Sequence, residues 1–131
     1  DQKDKGEASC AVVVYKNDKE IARYARGLGK LTNNEPEYEA VITGLLICSM
    51  ADLPDPIIYS DSAVVVNHVV GRWRCTHPAL LPLLRSIQII QEHFRFRLEQ
   101  VPRDVVKDAD FLAKEFLNDL ESIKAEIASS K

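Results

Sequence analysis

Cysteine pairs, long apolar runs and excess positive charge are all missing from this sequence. Three of its 131 residues are cysteines, an odd number, and they are far apart. This spacing fits neither a metal-binding motif nor a disulfide framework, so we predict a reducing, cytoplasmic setting. Cys10 and Cys48 lie within apolar runs and are expected to be small core residues.

No apolar run is long enough to span a bilayer and no signal peptide opens the chain, so a membrane partner is not expected. The formal net charge is -3, which gives no support to the broad basic surface typical of nucleic-acid-binding proteins. A local basic patch stays open, because six arginines lie in the second half of the chain. They are Arg72, Arg74, Arg85, Arg95, Arg97 and Arg103.

The length and composition indicate one globular domain. Apolar residues make up 46% and charged residues 28%, an ordinary balance for a chain that buries a core. We assign residues 1–125 to the domain and 126–131 to a polar tail. The chain begins with Asp1 rather than Met, so we expect a fragment or a processed product. The oligomeric state is left open, with a monomer as the default.

Apolar runs bounded by turn residues predict four strands and four helices. Their order is strand, strand, helix, strand, helix, helix, strand, helix. This order predicts an α/β domain with a mixed sheet, in which an antiparallel hairpin precedes parallel strands joined through helices. The predicted strands are Ala8–Tyr15, Ile21–Leu28, Ile57–Ser60 and Arg95–Val101, and the helices cover about 35–50, 62–70, 79–94 and 108–127.

Helix starts carry capping signals. Asn34 and Glu37 form a capping-box pattern, with Pro36 tolerated in the first turn. Asp61 or Ser62 is expected to cap the second helix, and Asp108 is expected to cap the last one.

Three acids stand at or after a loop, just before or within the first turn of a helix-like run. They are Glu37, Asp61 and Asp110. Acids in such positions can converge at one end of a sheet and hold a divalent metal, the layout of a metal-dependent nuclease. Asp61 and Asp110 could instead be first-turn acids that the helix dipole favours, and Glu37 could be only the capping partner of Asn34.

Four short motifs lie in order along the chain, between residues 32 and 113. They are Thr32-Asn33-Asn34 with Glu37-Tyr38, Ser60-Asp61-Ser62 with Val64-Val65-Val66, Gly71-Arg72-Trp73-Arg74 with His77-Pro78, and Val101-Pro102-Arg103 with Ala109-Asp110 and Leu112-Ala113. Together they resemble type I ribonuclease H, and its bacterial and archaeal members in particular.

The resemblance implies a five-stranded mixed sheet flanked by helices. It also implies cleavage of the RNA strand of an RNA–DNA hybrid, with two Mg²⁺ ions (or Mn²⁺) held by four acids, of which Glu37, Asp61 and Asp110 would be three. The residues implied to contact the hybrid are Asn33, Asn34, Ser62, Arg72, Trp73, Arg74 and Arg103. In this reading the asparagines lie in the minor groove, the arginines contact phosphate and the indole packs on sugar.

The same residues have structural interpretations. Asn33 and Asn34 could serve only the loop and the cap, Trp73 could anchor the arm to the core, and Arg103 could be a solvated side chain. The three histidines are interpreted as structural or exposed rather than as a metal site. They are His68, His77 and His93.

The sequence also departs from the family pattern. The first acid of the family lies in an Asp-Gly pair on a first strand, whereas this chain starts with a segment, 1–6, that resembles the loop after that strand. We therefore expect the strand to lie upstream or to be supplied by another segment. Ala63, Gln100 and Val106 replace residues common in the family. These departures support a second hypothesis, a catalytically degenerate domain that binds nucleic acid or protein.

Overall fold

The computed structural model of the chain describes residues 6–32 and 34–130. The order of its strands and helices is the predicted one, with a short 3-10 helix at Arg103–Val106 before the last helix. The strands are β1 (Gly6–Lys16), β2 (Lys19–Leu31), β3 (Ile57–Ser60) and β4 (Arg97–Gln100), and the helices are α1 (Glu35–Met50), α2 (Ala63–Val69), α3 (Leu81–His93) and α4 (Lys107–Ser129).

Strands β1 and β2 form a long antiparallel hairpin. Their ladder runs from the pair Gly6 and Leu31 to the pair Lys16 and Lys19. The turn holds only two residues, Asn17 and Asp18, with φ of 53° and 63°. Two successive left-handed residues match the twist of a hairpin, and asparagine and aspartate tolerate that conformation well. The strands therefore extend further than the predicted five-residue turn allowed.

Strands β3 and β4 pair in parallel, from Ile57 beside Arg97 to Ser60 beside Gln100. Within the described residues the hairpin and this pair form two separate two-stranded sheets. An antiparallel hairpin, a parallel pair and flanking helices confirm the predicted mixed α/β class. The expected additional strand lies outside the described residues and stays a prediction.

Helix α1 joins the two sheets. A Cβ atom at Gly44 would lie 3.6 Å from Cγ1 of Val12 on β1 and 3.9 Å from Cδ1 of Ile58 on β3. These are ordinary van der Waals distances, so the helix lies close to both strand pairs at this point and alanine would also fit. Cys10 and Cys48 are buried, as predicted. The other side of α1 packs on α2 and α3, and the buried core there consists of Tyr38, Val41, Leu45, Val65, Leu80, Leu84 and Ile87.

Helix α4 packs against the hairpin. The Ser9 hydroxyl donates a hydrogen bond of 2.7 Å to the carbonyl oxygen of Ala113. Further along, Lys124 Nζ lies 3.1 Å from Glu7 Oε1. The helix continues to Ser129, so most of the predicted polar tail is helical. No helix within residues 6–32 and 34–130 has the length and apolar character needed to cross a membrane.

The capping box predicted for α1 is wrong. Asn34 occupies the N-cap position, but its backbone is already helical and its side chain makes no capping hydrogen bond. The loop is closed instead by Glu35, whose Oε2 accepts a hydrogen bond of 3.3 Å from the backbone N–H of Thr32. Glu37 is thereby left free of the capping role.

The two other predicted helix caps, at α2 and α4, have different outcomes. Ser62 caps α2, as predicted, because its Oγ accepts a hydrogen bond of 3.2 Å from the backbone N–H of Val65. Asp108 does not cap α4, since that helix begins one residue earlier, at Lys107. Its Oδ2 instead accepts a hydrogen bond of 2.7 Å from the Tyr15 hydroxyl at the far end of β1.

Candidate active site

Two of the three predicted acids meet where β3 ends and α1 begins. Asp61 directly follows the last residue of β3, and Glu37 lies in the first turn of α1. Only three residues separate the end of β2 from the start of α1, so the hairpin fixes the position of this turn. The carboxyl end of a strand and the first turn of a helix thus present their acids to the same region.

The Glu37 carboxyl group is held in an unfavourable environment for its charge. Burial, then the neighbouring Asp61 charge and a hydrogen bond to Asp61, together raise its pKa from the ordinary 4.5 to about 7. Asp110 adds a smaller effect in the same direction, while the Arg103 charge lowers the pKa. The Glu37 carboxyl group therefore takes up a proton near neutral pH.

Asp61 has a cationic partner. The Nε–H of Arg103 donates a hydrogen bond of 3.0 Å to Asp61 Oδ2. The Asp61 side chain is only 19% exposed, whereas that of Arg103 is 76% exposed. The arginine therefore covers the carboxylate from the solvent side. Arg103, which was predicted to contact phosphate, thus lies beside Asp61.

Asp110 lies at the margin of the pair. Its Oδ2 is 3.0 Å from Nζ of Lys114, one turn further along α4. Together with Glu37 and the first residues of β1, it lines a cleft of about 300 Å³. Asp110 is near enough to Glu37 to act on its charge, but in the described part of the chain no three acidic, histidine or cysteine side chains form a group that could hold a metal ion.

The predicted arm follows α2 and is fixed to the end of that helix. Gly71 has a φ of 85°, a left-handed conformation that suits glycine and turns the chain. The carbonyl oxygen of Asn67 then accepts hydrogen bonds from the backbone N–H groups of Arg72 (2.9 Å) and Trp73 (3.1 Å). The side chains of Arg72, Trp73 and Arg74 are exposed, so all three are accessible to a ligand.

The remaining predicted contact residues have mixed positions. Ser62 uses its hydroxyl to cap α2, next to Asp61. Asn34 is partly buried at the start of α1, where its carbonyl oxygen accepts a 3.4 Å hydrogen bond from the N–H of Tyr38. Asn33 lies outside the described residues, so its role stays a prediction.

Sequence reasoning missed one pair of polar groups beside the site. The hydroxyl oxygen of Tyr38 is 2.7 Å from Nδ1 of His68, and the two rings stack. Burial raises the pKa of Tyr38 and lowers the pKa of His68, which favours the neutral form of both groups. Tyr38 directly follows Glu37, and this position in the sequence marks it as a neighbour of the site. Nothing local in the sequence linked it to a histidine 30 residues further along the chain.

Comparison with known protein families assigns the chain to one of them. The model of the family described as Reverse transcriptase-like matches residues 2–116. This covers most of the chain, so the chain belongs to that family. The proteins and structures it resembles are ribonuclease H domains, and this confirms the resemblance that the four motifs predicted.

Two curated relatives illustrate the similarity. The bifunctional protein Rv2228c of Mycobacterium tuberculosis is 33% identical over 116 residues, which cover 86% of this chain and 32% of that protein. Ribonuclease HI of Halobacterium salinarum is 29% identical over 100 residues, which cover 76% of this chain and 50% of the relative. The chain thus spans only a third to a half of the length of these relatives.

Solved structures agree with the fold. The N-terminal RNase H domain of Rv2228c, fused to maltose-binding protein, superposes with a TM-score of 0.79 at 33% identity, over 86% of this chain and 88% of the other. RNase H1 from the halophilic archaeon Halobacterium salinarum superposes with a TM-score of 0.82 at 27% identity, over 91% of this chain and 92% of the other. LC11-RNase H1 in complex with an RNA/DNA hybrid gives 0.80 at 24% identity over 86% of each chain, which supports the fold alone.

Proposed function

We propose that this domain is a metal-dependent endonuclease that hydrolyses the RNA strand of RNA–DNA hybrids. The observation that carries the proposal is the close pair of Glu37 and Asp61, whose mutual repulsion and burial raise the Glu37 pKa to about 7. Perturbed carboxyl groups of this kind are typical of functional sites. The ribonuclease H relatives supply the reaction class.

The donor set suits a hard divalent cation. Carboxylate oxygens are the ligands that Mg²⁺ and Mn²⁺ prefer, and a cation beside Glu37 and Asp61 would relieve the repulsion between them. We propose these two acids as metal ligands, with Asp110 as a third. Bound metal would supply an activated water and stabilise the leaving oxygen in an in-line displacement, and two ions are proposed by analogy with the family.

Exposed arginines, one of them beside the acid pair, would orient the hybrid. Arg103 is largely exposed beside Asp61, and Arg72 and Arg74 extend from the arm. Their guanidinium groups suit bidentate contact with phosphate. The half-exposed indole of Trp73 lies between the two arm arginines and can pack on a sugar. These exposed arginines support nucleic-acid binding despite the net charge of -3.

The test is cleavage of a labelled RNA–DNA hybrid, with Mg²⁺ and with a chelator, beside two variants. We expect Asp61→Asn to abolish metal-dependent cleavage of the RNA strand, and we expect Asp119→Asn to leave it unchanged, because Asp119 is exposed on α4 and remote from the pair. Cleavage that survives Asp61→Asn, or that proceeds equally with the chelator, would contradict the proposed centre.

A second candidate is a domain that binds the hybrid without cutting it. The observation that favours it is the ion pair of Asp110 with Lys114, together with the lack of a group of three ligand side chains in the described residues. Binding measured at increasing salt separates the candidates: a binding module would retain affinity that falls steeply with salt, yet release no product with Mg²⁺. An absence of binding at low salt would contradict both.

A further inference from the structure

Three aromatic rings connect the helix that carries Glu37 to the arm. Tyr38 follows Glu37 directly and is fully buried. Its ring stacks on that of His68, with centroids 6.1 Å apart and an angle of 29° between the planes. His68 also meets the ring of Trp73 edge to face, with centroids 6.5 Å apart and an angle of 73° between the planes.

The hydrogen bond between Tyr38 and His68 fixes the imidazole. The Tyr38 hydroxyl oxygen lies 2.7 Å from Nδ1, and the tautomer of the imidazole decides which of the two groups donates. A stacked ring that also makes a hydrogen bond at one nitrogen has little freedom to rotate. Its edge and face are therefore held in a defined direction toward Trp73.

The backbone of the arm is already held by another group. The carbonyl oxygen of Asn67 accepts from the N–H groups of both Arg72 and Trp73, and Asn67 Oδ1 accepts a bond of 3.4 Å from a guanidinium nitrogen of Arg72. These contacts fix the backbone position of Trp73, but they do not fix the orientation of its indole. The indole is 49% exposed, and His68 is the aromatic group it meets.

We infer that His68 is a positioning residue: it holds the exposed indole of Trp73 in a fixed orientation, ready to pack on a sugar of a bound nucleic acid. The inference rests on the proposed function for the nature of the ligand, but the orientation of Trp73 stands on geometry alone. The competing explanation is that His68 only fills the space between α1 and α2.

The first test uses fluorescence and needs no substrate. Trp73 is the one tryptophan of the chain, so its emission reports on this contact directly. We expect His68→Leu to about double the acrylamide quenching constant, because the indole is half exposed at present and would become free. Tyr38→Phe should shift quenching in the same direction but less, and His93→Leu, at the exposed end of α3, should not change it.

Quenching that is the same in His68→Leu and in the unaltered chain, with both folded by circular dichroism, would overturn the inference. Should His68→Leu fail to fold, His68→Gln retains a hydrogen-bond acceptor without a ring. It is then expected to raise quenching, and unchanged quenching in His68→Gln would equally overturn the inference.

The second test separates positioning from packing through kinetics on the hybrid. A positioning role predicts that His68→Leu raises KM about fivefold, the effect of losing one ordered contact, while kcat is retained. Trp73→Ala should raise KM similarly, and the double variant should be no worse than Trp73→Ala alone, because the two residues act through one contact. A fall in kcat with unchanged KM would indicate lost active protein and only a packing role.

The two tests also separate this inference from the proposed function. If the unaltered chain binds the hybrid without cutting it, the dissociation constant replaces KM, and the same fivefold weakening is expected. If the unaltered chain does not bind the hybrid, the proposed function and the sugar-packing role fail together. The quenching result would then still decide whether His68 orients Trp73.

Discussion

Replacing Glu37 by glutamine should stabilise the protein at neutral and alkaline pH. The folded state raises the pKa of Glu37 from 4.5 to about 7, so folding favours the protonated carboxyl group. The stability that this group contributes is fully present below pH 4.5 and is lost as the pH rises through 7. Glutamine resembles the protonated acid and carries no charge at any pH, so Glu37→Gln should keep that stability throughout.

The magnitude follows from the size of the pKa change. A difference of one pH unit between the two pKa values corresponds to about 1.4 kcal/mol, so the rise from 4.5 to about 7 corresponds to about 3 kcal/mol at pH 8. For a chain of 131 residues this is a rise in Tm of roughly 10 °C. At pH 4.5 and below, the variant and the unaltered chain should differ by much less.

The assay is thermal or urea unfolding of both proteins between pH 4 and pH 8.5, with Glu92→Gln as the control. Glu92 is an exposed acid on α3, so its replacement should change stability little at any pH. If Glu37→Gln gives no advantage at pH 8, or an advantage that is independent of pH, then the repulsion and burial attributed to the Glu37 and Asp61 pair are wrong.

Magnesium should reduce the difference in Tm between Glu37→Gln and the unaltered chain at pH 8. A cation at the carboxylate pair would neutralise the charge that destabilises the unaltered chain at pH 8, and a ligand that binds only the folded state raises Tm. We therefore expect millimolar Mg²⁺ to raise the Tm of the unaltered chain more than that of Glu37→Gln. An equal effect on both would place any bound metal away from Glu37.

Three other outcomes test the packing that supports the site. Leu45→Ala, at a fully buried position of α1, should lower the free energy of unfolding by about 2–5 kcal/mol, and a loss below about 1 kcal/mol would contradict its central place. Ser9→Ala should lower it by about 1 kcal/mol, since it removes the hydrogen bond between the hairpin and α4; urea unfolding measures both. Burial raises the pKa of the Cys10 and Cys48 thiols, so a thiol reagent at pH 7 should modify partly exposed Cys75 first, and equal rates at all three would refute this.

The sequence was sufficient wherever a local pattern decided the structure. The start and end of α1 match the prediction, because an apolar run follows Pro36 and stops before a loop that contains Pro54 and Pro56. β3 also has its predicted bounds, since four apolar or small residues lie between that loop and the Ser62 cap. In these segments propensity, patterning and turn chemistry agree.

Local patterns failed where a distant residue competed for a side chain. The spacing of Asn34 and Glu37 fits a capping box, but the Glu37 carboxyl group interacts with Asp61 instead. Asp108 fits a helix cap, but its carboxylate accepts a hydrogen bond from Tyr15, 93 residues earlier. Neither partner can be identified from spacing alone, because only the folded chain brings these segments together.

The charges around the three acids explain how one arginine can have both its observed partner and its predicted role. Asp61 is paired with Arg103 and Asp110 with Lys114, each at 3.0 Å, whereas no salt bridge reaches Glu37 in the described residues. A divalent cation would therefore gain most by neutralising Glu37. The Arg103 side chain is 76% exposed and largely hydrated, whereas that of Asp61 is 19% exposed, so the guanidinium group would leave the carboxylate readily once a bound cation replaced its charge. The released guanidinium group would then stand beside the carboxylates, where the phosphate of a bound hybrid must lie if these acids hold the metal.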